Sequence, residues 1–349
     1  MAIDYSTLRL SIIIPVYNVA DYIEKCVDSL EQQDIPVEEY ELIIINDGSP
    51  DNSKEVVLNL MKQYKNIVFI DQENQGVSAA RNAGIAKARA KYLVFIDPDD
   101  YVATNSFGRV LESADDMHAQ ITFLGYKFLN ADNSVRKEIL FTALKDKVFP
   151  GIEAYGLSRG DGTTDPDRSV AILYERAFVN KYDIRYLSEV PYLEDGEFLA
   201  RVLCMAERCI FQDEPYYIRT TRLGSATNSR LFYSDRAING FIKAAGNLFK
   251  FQQQQLLSGS QQQFLNQPVA KFILLAANSS LKRDNAIGLN EVVAALKRQG
   301  IDKCPVKGCK NVYKWNGFFY NLSPLVYTIY KFCSTIIKSV FLRLLKMRI

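Results

Sequence analysis

At 349 residues the chain is long enough for two folding units, or for one large α/β domain with an appendage, each able to bury a core. Lys and Arg number 42 against 40 Asp and Glu, a formal net charge of +2 that gives no reason to expect nucleic-acid binding. A single histidine, His118 in "DDMHAQIT" with no nucleophile motif beside it, removes Ser-His-Asp and Cys-His catalysis, and the scattered cysteines of a chain without a secretory signal predict reduced thiols and a cytosolic location.

"LSIIIPVY" is a continuous β-branched run stopped by proline, the pattern of a strand buried on both faces. "VADYIEKCVDSLEQQ" then places Ile23, Val27 and Leu30 on one helical face. "YELIIINDGSPDNS" is a second buried strand ending in a turn cluster, and "DNSKEVVLNLMKQY" offers an N-cap and another amphipathic helix. "NIVFIDQ" and "YLVFIDPDD" are two more strands, with the helical "GVSAARNAGIAKARA" between them. This rhythm predicts a parallel sheet covered by helices, whose ligands bind outside the carboxyl ends of the strands.

The polar residues follow that rule. Tyr17 and Asn18, Asn46 and Asp47, Asp71 to Gln75, and Asp97 to Asp100 each fall at or just past a predicted strand end. From 103 to 190 the pattern loosens, with a predicted helix at 106–117, a strand at "QITFLGYKFLN" and a polar surface loop at "LSRGDGTTDPDRS". "YLEDGEFLARVLCMAERC" reads as a helix with Phe198, Leu199 and Val202 on its apolar face and acidic residues near its positive end. "CIFQDEPYYIRTTRLGSATNSR" reads as a short strand pair running into a basic, hydroxyl-rich loop, and from 231 onward the chain is mainly helical, with a glutamine-rich hinge.

Asp97, Asp99 and Asp100 repel one another unless a cation or a donor compensates them. Carboxylates without histidine or thiolate suit Mg²⁺ or Mn²⁺, ions that complete their shell with water and substrate phosphate. A transferase acting on a nucleotide-activated donor is therefore within reach of these residue types. The base for such a reaction would be a carboxylate, and "LEDGEF" offers Glu194, Asp195 and Glu197. An equally simple reading is that they cap a helix. Arg219, Arg222, Ser225 and Thr227 of "RTTRLGSAT" could close over a diphosphate, or simply face water.

"SIIIPVYN", "IINDGSPDNS", "NQGVSAARNAGIAKARAKYLVFIDPDD" and "YLEDGEF", in this order, resemble the family 2 glycosyltransferases of the GT-A fold, from about residue 10 to 230. The resemblance implies that Pro15, Tyr17, Asp47, Asn74, Gly76 and Arg81 hold the donor nucleotide. It makes Asp97 and Asp99 the D-x-D pair, the first toward the ribose and the second on Mn²⁺ or Mg²⁺, with Asp100 as auxiliary. Asp195 takes the place of the catalytic base, with Glu194 as the second candidate. Arg222, Gly224 and Ser225 match the loop that contacts the donor diphosphate. No Q-x-x-R-W element is present, so the resemblance is to single-addition members, acting by inverting single displacement from a nucleotide sugar, by family frequency a UDP-sugar, to a glycan or lipid-linked acceptor of a bacterial surface polysaccharide. One departure is "SVAILYERAFV", where relatives carry a tryptophan and a lysine.

Two other classes compete. A nucleotidyltransferase would carry a glycine- and lysine-rich phosphate loop after its first strand, and "PVYNVADY" has none. An inactive nucleotide-binding subunit would lose the acidic elements that are intact here. The predicted division is a catalytic domain at 1–230 and a helical region at 231–349. The latter ends in the apolar, aromatic "WNGFFYNLSPLVYTIYKFCSTIIKSVFLRLLKMRI", with no acidic residue after Asp302. Its uncharged run from Trp315 to Tyr330 is shorter than the roughly 20 residues that span a bilayer. Residues 315–349 are therefore expected either to lie on the cytoplasmic membrane face or to pack on protein.

Overall fold

The computed structural model describes residues 7–159, 168–220, 233–254, 257–282 and 285–346, with side chains described only to residue 337 in the last helix. The chain divides into two compact units, Met1–Thr227 and Asn228–Ile349.

The first unit opens with the alternation predicted from its apolar runs: β1 (Leu10–Val16), α1 (Ile23–Leu30), β2 (Tyr40–Asp47), α2 (Ser53–Gln63), β3 (Ile67–Gln72), α3 (Val77–Lys87) and β4 (Tyr92–Phe95). These four strands run parallel in the order β3-β2-β1-β4. Every residue of β1 and β2 is buried, as strands covered by helices on both faces must be. Pro15 is tolerated inside β1 because the β4 ladder has already ended at Ile13, leaving no strand there to receive its missing N–H. On α3 a Cβ added to Gly84 would come 2.4 Å from Ile13 Cγ2 and 3.2 Å from Ile45 Cδ1, so glycine lets this helix settle directly on β1 and β2.

The second half of the sheet was less visible in the sequence. β5 (Tyr101–Val102), α4 (Phe107–Asp116), β6 (Ile121–Leu129), β7 (Val135–Ile139), α5 (Gly151–Leu157), β8 (Ile172–Glu175), α6 (Arg176–Lys181), α7 (Glu194–Met205) and β9 (Cys209–Arg219) complete the unit. The order continues β4-β8-β6-β9-β5, with β7 on β6; β6 and β9 pair parallel and the other ladders of this half are antiparallel. The segment read as a strand pair is the single strand β9. Its "QDEP" stretch bulges past Gly125 of β6, where a Cβ would meet the Glu214 carbonyl oxygen at 2.2 Å, so the chain shifts register there instead of turning back. His118 sits exposed in the turn after α4.

The second unit is helical: α8 (Asp235–Gln254), α9 (Gly259–Ser280), α10 (Leu289–Arg298), α11 (Asn311–Leu322) and α12 (Pro324–Lys346). The glutamine-rich hinge closes on a capping box, Ser258 Oγ accepting from the Gln261 N–H and Gln261 Oε1 from the Ser258 N–H. Among the described residues no helix is long and apolar enough to cross a membrane. All six cysteines are free thiols, five of them buried and Cys333 exposed.

Candidate functional site

The carboxyl edge of β3-β2-β1-β4 collects most of the polar residues singled out above. Pro15 is buried within β1; Tyr17, just beyond it, is exposed. Asp47 closes β2 and is buried, and both its oxygens are engaged. Oδ1 accepts from the Gln75 N–H at 2.9 Å and from Gln72 Nε2 at 2.8 Å, and Oδ2 accepts from the Gly76 N–H at 2.8 Å. The carboxylate thus folds residues 73–76 back over β2 and satisfies a donor at the opening of α3. Two glycines permit this path. Gly48, at φ +64°, has no room for a Cβ, which would stand 2.8 Å from the Asn74 nitrogen, and Gly76, at φ +87°, starts α3. Asn74 and Gln75 are left exposed on the crest of this loop.

Past β4 the chain turns through Asp97-Pro-Asp99-Asp100, and one carboxylate oxygen from each aspartate lies within 4.8 Å of the others. Asp100 is buried. Its Oδ2 accepts from the Tyr217 hydroxyl at 2.6 Å and its Oδ1 from the Thr220 N–H at 2.8 Å, while the Thr220 hydroxyl donates to the Asp99 carbonyl at 2.6 Å. The end of β9 therefore holds the acidic turn from behind. Burial, reinforced by the charges of Asp97 and Asp99, pushes the Asp100 carboxyl up to about 8. Burial, then the charges of Asp100, Asp99 and Asp97, pushes the Cys26 thiol well above its ordinary value. An excess of negative charge in a hard-oxygen donor set is the condition a divalent cation relieves, and these residues fit one.

Arg81 links this turn to the other acidic element. It projects from α3 into a buried position, where Nη2 donates to Asp97 Oδ1 at 3.2 Å and Nη1 donates to both Glu194 Oε1 at 3.1 Å and Asp195 Oδ1 at 3.0 Å. Its guanidinium carbon lies 5.2 Å from the centre of the Tyr186 ring, which stacks on Phe198 of α7 at 4.1 Å. Glu194 and Asp195 open α7 immediately after Leu193, whose φ of 58° turns the chain sharply into the helix. Burial, then the adjacent Asp195 charge, pushes the Glu194 carboxyl up to about 7 against the opposing pull of Arg81. Asp195 Oδ1 also accepts from the Ser169 hydroxyl at 2.7 Å. Both hydrogen bonds fall on Oδ1; among the described residues no donor reaches Oδ2, and the side chain is partly exposed. Glu197 is turned elsewhere, fully buried against Arg201 with contacts of 2.7 and 2.6 Å.

Of the predicted site residues, the structure gathers Pro15, Tyr17, Asp47, Asn74, Gly76, Asp97 and Asp99 along one sheet edge, and joins Asp97, Glu194 and Asp195 through Arg81. Arg222, Gly224, Ser225 and Thr227 lie outside the described residues. Sequence reasoning missed Ser169, Tyr217, Thr220 and Tyr186. Ser169 ends the stretch read as a surface loop, of which 160–167 are also outside the described residues, yet it is buried beside Tyr174, whose hydroxyl donates to its carbonyl at 3.0 Å. The departing segment "SVAILYERAFV" supplies that tyrosine. An open groove of about 760 Å³ lies alongside, lined by Asp21, Glu24, Lys25 and Asp28 around α1 and by Tyr101 and Val102 of β5; the acidic turn is not part of its wall.

Residues 11–187 match the family model described as Glycosyl transferase family 2. The chain is similar to the uncharacterized glycosyltransferase EpsJ of Bacillus subtilis (strain 168), 31% identical over 228 residues that cover 62% of this chain and 62% of EpsJ. It is similar also to the poly(ribitol-phosphate) beta-glucosyltransferase of Bacillus spizizenii (strain ATCC 23059 / NRRL B-14472 / W23), 36% identical over 220 residues covering 62% of this chain and 33% of that protein. The match thus spans less than two thirds of the length of either relative. Among solved structures, that of S. aureus TarS 1-349 in complex with UDP-GlcNAc superposes with a TM-score of 0.60 at 20% identity, covering 84% of this chain and 80% of that one. A likeness at this identity shows the fold, which is the GT-A arrangement of a curled, largely parallel sheet.

Proposed function

Since the chain belongs to glycosyltransferase family 2, we propose that it transfers a sugar, with inversion, from a nucleoside-diphosphate sugar to a hydroxyl of a glycan or lipid-linked acceptor in the assembly of a bacterial surface polymer. The observation that carries this reading is the Arg81 bridge. It sets the acidic turn and the α7 carboxylates, two elements far apart in sequence, on either side of one guanidinium. A donor held at the first would present its anomeric carbon toward the second.

In this reading the edge formed by Pro15, Tyr17, Asn74 and Gly76 seats the nucleotide, and Asp47 shapes that seat through the 73–76 loop. Asp97 faces the ribose. Asp195 is the base: Oδ1 is fixed by Ser169 and Arg81, and Oδ2 accepts the acceptor proton as the acceptor oxygen attacks the anomeric carbon and the bond to the departing diphosphate breaks. Glu194 is the second candidate for that role; a carboxyl raised to about 7 suits a base at neutral pH, and what favours Asp195 is its Oδ2, which no donor among the described residues reaches. Asp99, with Asp97, would hold Mn²⁺ or Mg²⁺, which when bound supplies positive charge opposite the leaving diphosphate. A UDP-sugar donor is supported by the UDP-GlcNAc complex of the structural relative, and a surface-polymer acceptor by the name of the poly(ribitol-phosphate) relative. Arg222 and Ser225 complete the proposed donor contacts.

The test is release of nucleoside diphosphate by the purified full chain over a panel of nucleotide sugars, with Asp195→Asn as the critical variant. That variant keeps the volume and can keep the Ser169 and Arg81 neighbours, so it should lose about 10²–10⁴-fold in turnover while retaining nucleotide binding. Turnover within about threefold of wild type would show that Asp195 is not the base.

A further inference from the structure

The transferase reading leaves the outer surface of the helical unit unused. α11 and α12 meet through the Phe319 and Tyr330 rings, stacked at 4.1 Å, and through Tyr320 against Tyr327 at 5.6 Å. Lys331 Nζ donates to Asn316 Oδ1 across the same seam, and the buried Tyr327 donates its hydroxyl to Asn278 of α9 at 2.9 Å. Tyr327 and Tyr330 thus define the inward side of α12.

Leu325, Ile329, Phe332 and Ile336 lie on the opposite side, recurring at intervals of four, three and four residues, and all are exposed, Leu325 by 69% and Phe332 by 68%. Ile337 adjoins them. On α11, Trp315, Phe318 and Leu322 are exposed at intervals of three and four. Large apolar side chains aligned in this way form the kind of patch that a soluble surface avoids unless something covers it.

Charge identifies the cover. After Asp302 the chain carries nine Lys and Arg and no Asp or Glu. A second copy docked face to face would bring two basic, acid-free segments together, whereas a sheet of anionic headgroups attracts such a segment. The 23-residue α12 is about 34 Å long, enough to lie along a surface. Trp315, 61% exposed, is a side chain that favours the boundary between headgroups and acyl chains.

We propose that the outward stripe of α12, with the exposed aromatic side of α11, seats in the interfacial plane of an anionic lipid bilayer. This inference is independent of the transferase reading and does not need its chemistry. The experiment is flotation of the full chain with vesicles of phosphatidylcholine alone and of phosphatidylcholine mixed equally with phosphatidylglycerol. Wild type should float with the mixed vesicles, much less with the neutral ones, and the bound fraction should fall as salt shortens the screening length. Ile329→Glu combined with Phe332→Glu should lower the partition coefficient about tenfold or more, because two inserted side chains become charged. The melting temperature should hold, since both positions are exposed. Lys310→Gln with Lys314→Gln should weaken binding to the mixed vesicles only. Failure of wild type to float with mixed vesicles, or equal flotation of the glutamate variant, overturns the proposal. So does a lipid-independent dimer that the glutamate variant dissolves, which would make a second copy the cover.

Discussion

Replacing Arg81 by methionine would strip the counter-charge from three carboxylates at once. Asp97, Glu194 and Asp195 each accept one of its hydrogen bonds at 3.0–3.2 Å, and the arginine side chain is 4% exposed. Charge-assisted bonds contribute about 1.5–3 kcal/mol each, but three on one guanidinium are not additive, and the carboxylates keep some contact with water. Removing one partner of a buried ion pair costs about 3–5 kcal/mol, and the lower half of that range is expected here. The loss should depend on pH. A carboxyl whose folded-state pKa is raised binds its proton more tightly when folded, so Glu194 costs stability as the pH climbs from 4.5, its ordinary value, toward about 7, and returns it on the way down. Without Arg81, which pulls that value down, the window extends higher. The difference between Arg81→Met and wild type should therefore be greatest near about pH 8 and shrink toward about pH 5. Urea unfolding followed by tyrosine near-ultraviolet circular dichroism measures it, since the chain's single tryptophan, Trp315, belongs to the other unit. A loss below about 1 kcal/mol, or one equal at both pH values, would refute the idea that Arg81 holds the acidic elements together.

Glu197→Gln should show the reverse of Asp195→Asn. It leaves Arg201 buried without its carboxylate and costs about 3 kcal/mol, with turnover of the folded enzyme preserved; full stability with lost turnover would move the base to Glu197. Gly84→Ala would raise helix propensity by about 1 kcal/mol, yet the new Cβ meets Ile13, so a net loss of about 1–3 kcal/mol is expected, read as a lower melting temperature and partly restored by Ile13→Val; a gain would mean that α3 does not sit so close. With nucleoside diphosphate present, Mn²⁺ at about 100 times its dissociation constant should stabilise the chain by about 2.7 kcal/mol. Asp99→Asn should abolish that gain, and an undiminished shift in the variant would place the ion elsewhere.

How legible each part was depends on whether the signal is local. β1, β2 and β4 are buried on both faces and their Ile, Leu and Val runs stand out beside the helices that alternate with them, while the edge strand β3 is only partly buried and shows by its "IVFI" run. β5 has two residues and β8 four, too short for any period, and the exposed "VRKEI" of β7 has no apolar face to display. β9 misled because an acidic, proline-containing stretch ordinarily marks a turn, and only the missing side chain of Gly125 on a neighbouring strand makes room for the bulge. The site divides the same way. Strand-end carboxylates advertise themselves, whereas the Arg81 bridge joins residues 114 positions apart and the Tyr217 and Thr220 contacts reach Asp100 across 117 and 120. "LEDGEF" presented three equivalent acids; packing separates them, turning Glu197 into the core and leaving Asp195 at the crevice.

The distribution of thiols has a practical consequence. Cys26, Cys204, Cys209, Cys304 and Cys309 are enclosed, and burial pushes Cys204 up to about 12 and Cys309 to about 11, so neither presents a thiolate at neutral pH. Cys333, on α12, is exposed. A brief exposure of native protein to a maleimide should consequently attach one label per chain, at a known point on the last helix, without any engineered cysteine. As the fold opens, the remaining five become reactive in two instalments, three from the first unit and two from the second. Counting labels by mass then reports which unit has opened.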